Sequence, residues 1–316
     1  MAEALGLFAL GLLGLALGGD SAVKGLSGLA QHFGVRPFVA GLLLVAFGTS
    51  VPELAVNLRA VHEQQPHLAL GNAVGSNIVN LGLTLGLAAL AAPLLLRARM
   101  LGPLLLLLAA ASLAVMLFGL DGHLSRWEGT VLLLGFLAST GFLLRNGRRE
   151  PEAVQAGIAA HAATRTGLAL NLLRLLIALV LLYFGARAVV SGGLRLGEGW
   201  GMSPLMVGLL PVAIGTALPE VAAAIGAARR GHGDMVAGFV IGSSLFNTLA
   251  IVGGMAAVHP LALPASFVKF ELPAVLVLAL LVYPLLRGDH RLSRQEGAVL
   301  CLAFAAWVAV ELLLFL

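Results

Sequence analysis

Apolar residues in this chain come in long blocks separated by short polar punctuation, rather than recurring on one helical face. Stretches such as "GPLLLLLAAASLAVMLFGL" (102–120), "LALNLLRLLIALVLLYF" (168–184) and "LPAVLVLALLVYPLL" (272–286) are apolar almost all round. Roughly 20 such residues, wound as a helix, cross the hydrocarbon core of a bilayer. Ten segments qualify, near residues 4–19, 38–62, 68–93, 101–120, 127–145, 168–190, 204–228, 235–258, 267–286 and 295–315. The pattern therefore predicts an all-α polytopic membrane protein with ten transmembrane helices.

The pattern is also written twice. "GTSVPE" (48–53) returns as "GTALPE" (215–220), and "GSNIVN" (75–80) returns as "GSSLFN" (242–247), at one offset of 167 (215 − 48; 242 − 75). The same offset pairs Gly18 with Gly185, Gly34 with Gly201, Pro37 with Pro204 and Gly86 with Gly253. Each half holds five spans, so the second enters the membrane with opposite orientation. The expected architecture is two inverted five-helix repeats, 1–145 and 168–316, joined by a polar linker over 146–167. Secondary transporters use this plan, with the binding site at the midplane where the halves meet.

Composition agrees with a membrane solvent: 59% hydrophobic and 11% charged residues, against about 25% charged in soluble domains. The net charge of +4 and pI near 10.0 do not signal nucleic acid, because the cations sort by loop. Only Arg59, Arg126, Arg187, Arg195 and Lys269 of the 19 Lys+Arg fall on one side; the rest, including the linker arginines 145–149 and Arg287, fall on the other. By the positive-inside rule both termini face out and the linker is cytoplasmic, in the plasma or inner membrane. The first span has no basic region before it and reads as a retained helix, not a signal peptide. The single cysteine, Cys301, reads as packing.

Of the fifteen Asp+Glu, only Glu53 and Glu220 are expected deep within spans, and they are repeat mates. A charge at the bilayer centre costs about 3 kcal/mol on insertion scales, so a matched pair points to function. Pro52 and Pro219 precede them and are expected to break their helices, freeing the carbonyls of Gly48 and Gly215. Thr49 lies four residues before Glu53, and Thr216 four before Glu220; Ser76 and Asn80, and Ser243 and Asn247, repeat that spacing in the next spans. All are hard oxygen donors, which suit Ca²⁺, Na⁺ or Mg²⁺ rather than zinc or copper. Two carboxylates balance one divalent ion, two monovalent ions or two protons, and competition among these sets is the logic of antiport. "HEQQPH" (62–67) is not a zinc HExxH motif: the spacing is wrong and Pro66 interrupts it. No Walker sequence, phosphate loop or catalytic Ser/His set appears, so no enzyme activity is expected.

These paired motifs resemble the two alpha-repeats of the Ca²⁺/cation antiporter superfamily, most closely its prokaryotic sodium/calcium exchangers. The resemblance implies Ca²⁺ binding by Glu53 and Glu220, assisted by Thr49, Thr216 and backbone oxygens. It implies Na⁺ sites around them with Ser50, Ser76, Ser243, Asn80 and Asn247, and a first span in each half that slides to alternate access. Ala217 stands opposite Ser50 in the repeat, Phe239 opposite Asn72, and Asn247 where some relatives carry Asp. These departures leave a proton-coupled Ca²⁺/H⁺ antiporter open as the alternative, and a cation channel lined by carboxylates as a further one. The transported ions are the only small partners expected: no cofactor, no nucleic acid and no obligatory protein partner, one chain in lipid being sufficient.

Overall fold

The computed structural model describes residues 1–287 and 290–315. The side chain of Arg287, and residues 288–289 and 316 of the second repeat, lie outside the described residues. Among the described residues ten helices are long and apolar enough to span: α1 Ala2–His32, α2 Pro37–His62, α3 Pro66–Ala91, α4 Leu101–Asp121 and α5 Arg126–Gly147, then α7 Leu168–Trp200, α8 Pro204–Arg229, α9 Gly233–Val258, α10 Phe267–Pro284 and α11 Arg294–Leu314. Between the sets lies a short helix, α6, Glu152–Ala162.

Helix starts follow from local chemistry. Pro37, Pro66 and Pro204 occupy first-turn positions, where a missing N–H costs nothing. Ser125 with Glu128 forms a capping box at α5, and Ser293 with Glu296 makes the corresponding bonds at α11, each satisfying orphan N–H groups. The turns from α1 to α2 and from α7 to α8 are one turn used twice. Gly34 and Gly201 take φ of 83° and 73°, and the next residue's N–H reaches back to Ala30 O (2.9 Å) and Gly197 O (2.8 Å), the Schellman closure that favours glycine.

The first helix of each repeat is longer than its apolar block suggests, at 31 and 33 residues. Asp20 and Arg187, expected at span ends, therefore sit inside helices. Asp20 pairs with Lys24 at 2.7 Å, one turn on, where both are about half exposed. α1 and α7 lie against each other, and a Cβ on Gly185 would stand 2.9 Å from Leu15 N and 3.0 Å from Gly11 O. With no hydrophobic drive between helices in lipid, such close backbone approach supplies the packing. Leu10, Leu13, Leu176 and Leu179 on these helices face outward and are exposed, as lipid-facing residues should be.

The centre is built from α2, α3, α8 and α9. In α3 and α9, 83% of the most apolar stretch is buried, against 17% in α7. The repeat's contacts are reciprocal: a Cβ on Gly75 would meet Leu209 and Ala213, and one on its mate Gly242 would meet Ala46, the mate of Ala213. Two short antiparallel ladders tie the halves together. β1 (Leu94–Leu95) pairs with β4 (Arg291–Leu292), and β2 (His123–Leu124) with β3 (Leu261–Ala262). β1 and β4 follow the third and ninth spans, whereas β2 and β3 follow the fourth and eighth. One ladder thus lies at each end of the spans, as inverted repeats require.

The polar linker carries a helix of its own. Val154, Ile158 and Ala162, spaced by four, bury one face of α6. Ser27 Oγ and Gln31 Nε2 both donate to Ala162 O at 2.7 Å. Nearby, Glu150 accepts from the N–H groups of Arg99 and Met100, each at 2.8 Å, while Asp234 accepts from those of Arg97 (2.5 Å) and Ala98 (2.7 Å). The two carboxylates clamp the connection before α4.

Candidate functional site

Glu53 owes its position to a break in α2. The α-helix stops at Phe47, whose φ is −132°, a 3₁₀ turn covers Gly48–Ser50, and helix resumes at Val51 with Pro52 in its first turn. The proline thus starts a helix, and Glu53 falls in that first turn, where orphan N–H groups gather.

The expected second break is corrected. α-Helix runs from Ala213 to Arg229 through Pro219. The irregularity lies upstream, a π turn over Gly208–Val212 that contains Pro211. The wider π turn absorbs the ring and missing donor at 211. Pro219 then costs one hydrogen bond, that to the Gly215 carbonyl, without ending the helix. α3 and α9 carry repeat-matched π turns over Val79–Thr84 and Phe246–Val252, a feature that periodicity does not reveal and that recurs at functional sites.

The two carboxylates are sealed from solvent, Glu53 at 1% and Glu220 at 8% exposure. They are near enough for the charge of Glu53 to act on Glu220, and the Thr216 hydroxyl stands beside Glu53. Thr216 Oγ1 lies 3.0 Å from Val212 O and 3.3 Å from Ala213 O. Among the described residues neither carboxylate joins a salt bridge. Buried charge without a partner costs several kcal/mol, so the site calls for a neutralising cation or proton.

Hydroxyls and amides cross from one repeat to the other. Ser50 donates to Ser243 Oγ at 2.7 Å, Asn80 Nδ2 donates to the same oxygen at 3.2 Å, and Thr84 donates to Asn80 Oδ1 at 3.4 Å. Asn247 Nδ2 donates to Asn77 Oδ1 at 3.2 Å, and Asn77 Nδ2 to Thr248 Oγ1 at 2.8 Å. Other oxygens are buried without any partner: Thr49 Oγ1, Glu53 Oε2, Ser76 Oγ, Asn247 Oδ1 and both of Glu220. One orphan has a visible cause. Repeat symmetry turns the Ser50–Ser243 bond into a pair between position 217 and Ser76, and position 217 is Ala217. Lacking that hydroxyl, and with Asn247, the mate of Asn80, donating to Asn77 instead, Ser76 has no partner.

Sequence reading passed over several of these groups. Asn57 and Asn72 are buried with all amide atoms unpaired; each extends a four-residue stripe, 49–53–57 on α2 and 72–76–80–84 on α3. In the second half, Phe239 and Ile251 end the corresponding stripe. Two further carboxylates on the spans are buried, though near span ends rather than deep within them. Glu271 and Glu311 are 0% exposed, all four of their oxygens unpartnered. Both lie within a few residues of a span end, and packing of neighbouring helices buries them. Among the described residues no three His, Cys, Asp or Glu side chains converge, so a cation at Glu53 and Glu220 must draw further ligands from hydroxyls, amides or backbone.

The family model of the "Sodium/calcium exchanger protein" matches residues 3–145 and 170–313, one block over each repeat. The chain belongs to that family. This exchanger-family chain is 33% identical to inner membrane protein YrbG of Escherichia coli over 98% of its length and 97% of YrbG's. It is 29% identical to the sodium/calcium exchanger MaX1 of Methanosarcina acetivorans over 95% and 96% of the two chains. Its fold matches the sodium-calcium exchanger NCX_Mj, in crystals soaked with 2.5 mM Na⁺ and 10 mM Sr²⁺, with TM-score 0.67 and 31% identity over 98% of both chains. The exchanger family consists of ion transporters, not enzymes, and cation antiport is the activity class of this membrane protein.

Proposed function

We propose that the protein exchanges Ca²⁺ for Na⁺ by alternating access, the ions competing for a site built on Glu53 and Glu220. One observation carries the proposal: two buried carboxylates at repeat-equivalent positions, without salt bridges among the described residues, on the same four central helices as buried, unpartnered hydroxyl and amide oxygens. Ca²⁺ requires six to eight oxygens. The carboxylates supply up to four, and Thr49, Thr216 and the carbonyls of Gly48 and Gly215 are the candidates for the rest. Na⁺, with half the charge, is served by neutral oxygens backed by one carboxylate, and Ser50, Ser76, Ser243, Asn80 and Asn247 supply them. Because the same carboxylates balance either set, one ion's arrival weakens the other's hold.

Loop charge supports termini outside and the linker in the cytoplasm of a cell or inner membrane. Residues 1–145 and 168–316 act as the two moving repeats, and a single chain in lipid holds a whole site. Family membership of MaX1 and NCX_Mj supports the choice of ions. The alternative, Ca²⁺/H⁺ exchange, draws on Ala217 and Phe239, which remove polar groups from the second repeat.

The experiment is Ca²⁺ uptake into proteoliposomes under an outward Na⁺ gradient at constant pH, and separately under a pH gradient without Na⁺. Uptake is expected in the first arm only, abolished by Glu53→Gln or Glu220→Gln in protein that still elutes as one species. Uptake in the second arm alone replaces Na⁺ with H⁺; uptake unaffected by either variant overturns the site.

A further inference from the structure

Glu271 and Glu311 take no part in the Glu53–Glu220 site. They sit on α10 and α11, outside the four central helices; in the register that sets Ser125 opposite Ser293, Leu143 stands opposite Glu311, and residues 100–108 opposite the start of α10 hold no Asp or Glu, so the duplicated transport site does not include them. Both line a cavity of about 390 Å³ with His67, Ser203, Pro264 and Ser266. The starts of α3, α8 and α10 and the end of α11 all follow an even number of crossings, which puts this cavity on one membrane face, the outer face under the charge bias above.

The two carboxyls are close enough for one's charge to act on the other, and both are 0% exposed. The Ser266 hydroxyl and the Glu271 backbone N–H stand beside the Glu271 carboxyl, but among the described residues neither these nor any other group makes a hydrogen bond of good geometry to the four carboxylate oxygens. Among the described residues no Lys or Arg pairs with either. Lys269, two residues before Glu271, is exposed, and His67 is the remaining titratable group lining the cavity. A π turn over Phe267–Glu271 carries Glu271, an irregularity that recurs at functional positions. Two buried carboxyls without a cationic partner among the described residues, lining one cavity, are a ligand set for a cation rather than for an anion or an apolar molecule.

We infer that Glu271 and Glu311, with the Ser266 hydroxyl, form a second site for a hard divalent cation, Ca²⁺, opening on the membrane face where α10 begins. Two bidentate carboxylates and one hydroxyl give five oxygens, and the cavity has room for the waters that complete six to eight. The two negative charges match the ion.

Trp307 makes the site readable. It is buried one turn before Glu311 on α11, its indole N–H unpartnered, about 6 Å away along the axis. Tb³⁺ bound between the carboxylates should therefore emit on indole excitation. The full-length protein carrying Glu53→Gln and Glu220→Gln, which silences the transport site, should keep Tb³⁺ emission that Ca²⁺ displaces, and should retain one equivalent of ⁴⁵Ca²⁺ in equilibrium dialysis. Adding Glu271→Gln and Glu311→Gln should abolish both signals. In a folded E53Q/E220Q protein, absence of displaceable emission and of bound ⁴⁵Ca²⁺ overturns the proposal, as does binding indifferent to E271Q/E311Q. Should the fourfold variant fail to fold, Trp307→Phe in the E53Q/E220Q background decides: lost emission with ⁴⁵Ca²⁺ binding retained supports the site, and unchanged emission refutes it. Failure of Na⁺-driven uptake in the native protein would leave these outcomes unaffected.

Discussion

Ser243 and Ser76 are repeat mates with opposite environments, and their alanine variants should separate accordingly. Ser243 Oγ accepts from Ser50 at 2.7 Å and from Asn80 at 3.2 Å, and all three residues are at most 2% exposed. Ser243→Ala strands two buried donors. An unsatisfied buried group costs about 1–3 kcal/mol, and partial relaxation of the Ser50 hydroxyl brings the pair to about 2–4 kcal/mol on the same scale. Ser76 Oγ has no partner, so Ser76→Ala strands nothing and should change the stability of the ion-free protein by less than about 1 kcal/mol. The assay is thermal unfolding in detergent without Na⁺ or Ca²⁺, followed by ion titration of each variant. Ser243→Ala should unfold earlier, whereas under the proposed exchange both variants should need higher Na⁺ concentrations for the same stabilisation, each lacking an oxygen proposed to bind Na⁺. Ala217→Ser should give Ser76 its missing partner and add about 0.5–1.5 kcal/mol, an effect that vanishes in the Ser76→Ala background. Equal destabilisation by the two serine variants, or a gain from Ala217→Ser that survives without Ser76, would refute the assignment of the asymmetry to position 217.

Gly185→Val should loosen the α1–α7 pair, because a Cβ there meets backbone atoms at 2.9 and 3.0 Å that cannot rotate away; overpacking of this kind costs about 1–3 kcal/mol, read as a lower unfolding midpoint. Glu150→Ala should free two N–H groups now held at 2.8 Å and expose the 97–100 connection to protease, whereas Glu150→Gln, which still accepts, should protect most of it. Burial pushes the Glu150 carboxyl above its ordinary value, outweighing the backbone bonds from Arg99 and Met100. The folded state then holds this proton more tightly, so its stabilising contribution is complete below about pH 4.3, the ordinary glutamate value, and is lost as pH rises through the raised folded value. Protease resistance of the connection should fall over that window, and Glu150→Gln should flatten the dependence.

Much of this architecture was legible before the coordinates, for reasons tied to particular residues. Span count followed from block length, and inversion from the odd number of spans, five, in each half. Gly34 with Pro37, and Gly201 with Pro204, marked the same turn twice because positive φ and a first-turn proline leave few substitutes. Helix ends were less legible: Asp20, Ser21 and Lys24 resemble a polar boundary, yet α1 continues to His32 because its glycines bury against α7. Pro219 misled because proline removes a donor everywhere but breaks a helix only where packing lets the chain turn. Glu271 and Glu311 were missed because distance from a span end measures depth along the membrane normal, and burial here comes from sideways packing. Asn57 and Asn72 were within reach, since each continues a spacing of four already used for Thr49 with Glu53 and Ser76 with Asn80.

The two repeats share one sequence register but not one conformation, and the differences concentrate where the carboxylates sit. Positions 48–50 form a 3₁₀ turn, while their mates 215–217 are α-helical; positions 208–212 form a π turn, while their mates 41–45 are α-helical. Glu53 consequently begins a helix and Glu220 lies within one. A molecule with inverted repeats that opened equally to both sides would leak, so a single state has to treat its halves differently. The irregular segments of α2 and α8 are where this chain does so, a few residues from each carboxylate. The matched π turns of α3 and α9, by contrast, are the same in both halves. The division of labour follows: α3 and α9 hold a fixed polar wall from Asn72 to Thr84 and from Ser243 to Asn247. The helices bearing the charges hold local geometries that differ between repeats; under the proposed alternating access, exchanging them would turn the site to the opposite side without altering which oxygens surround the ion.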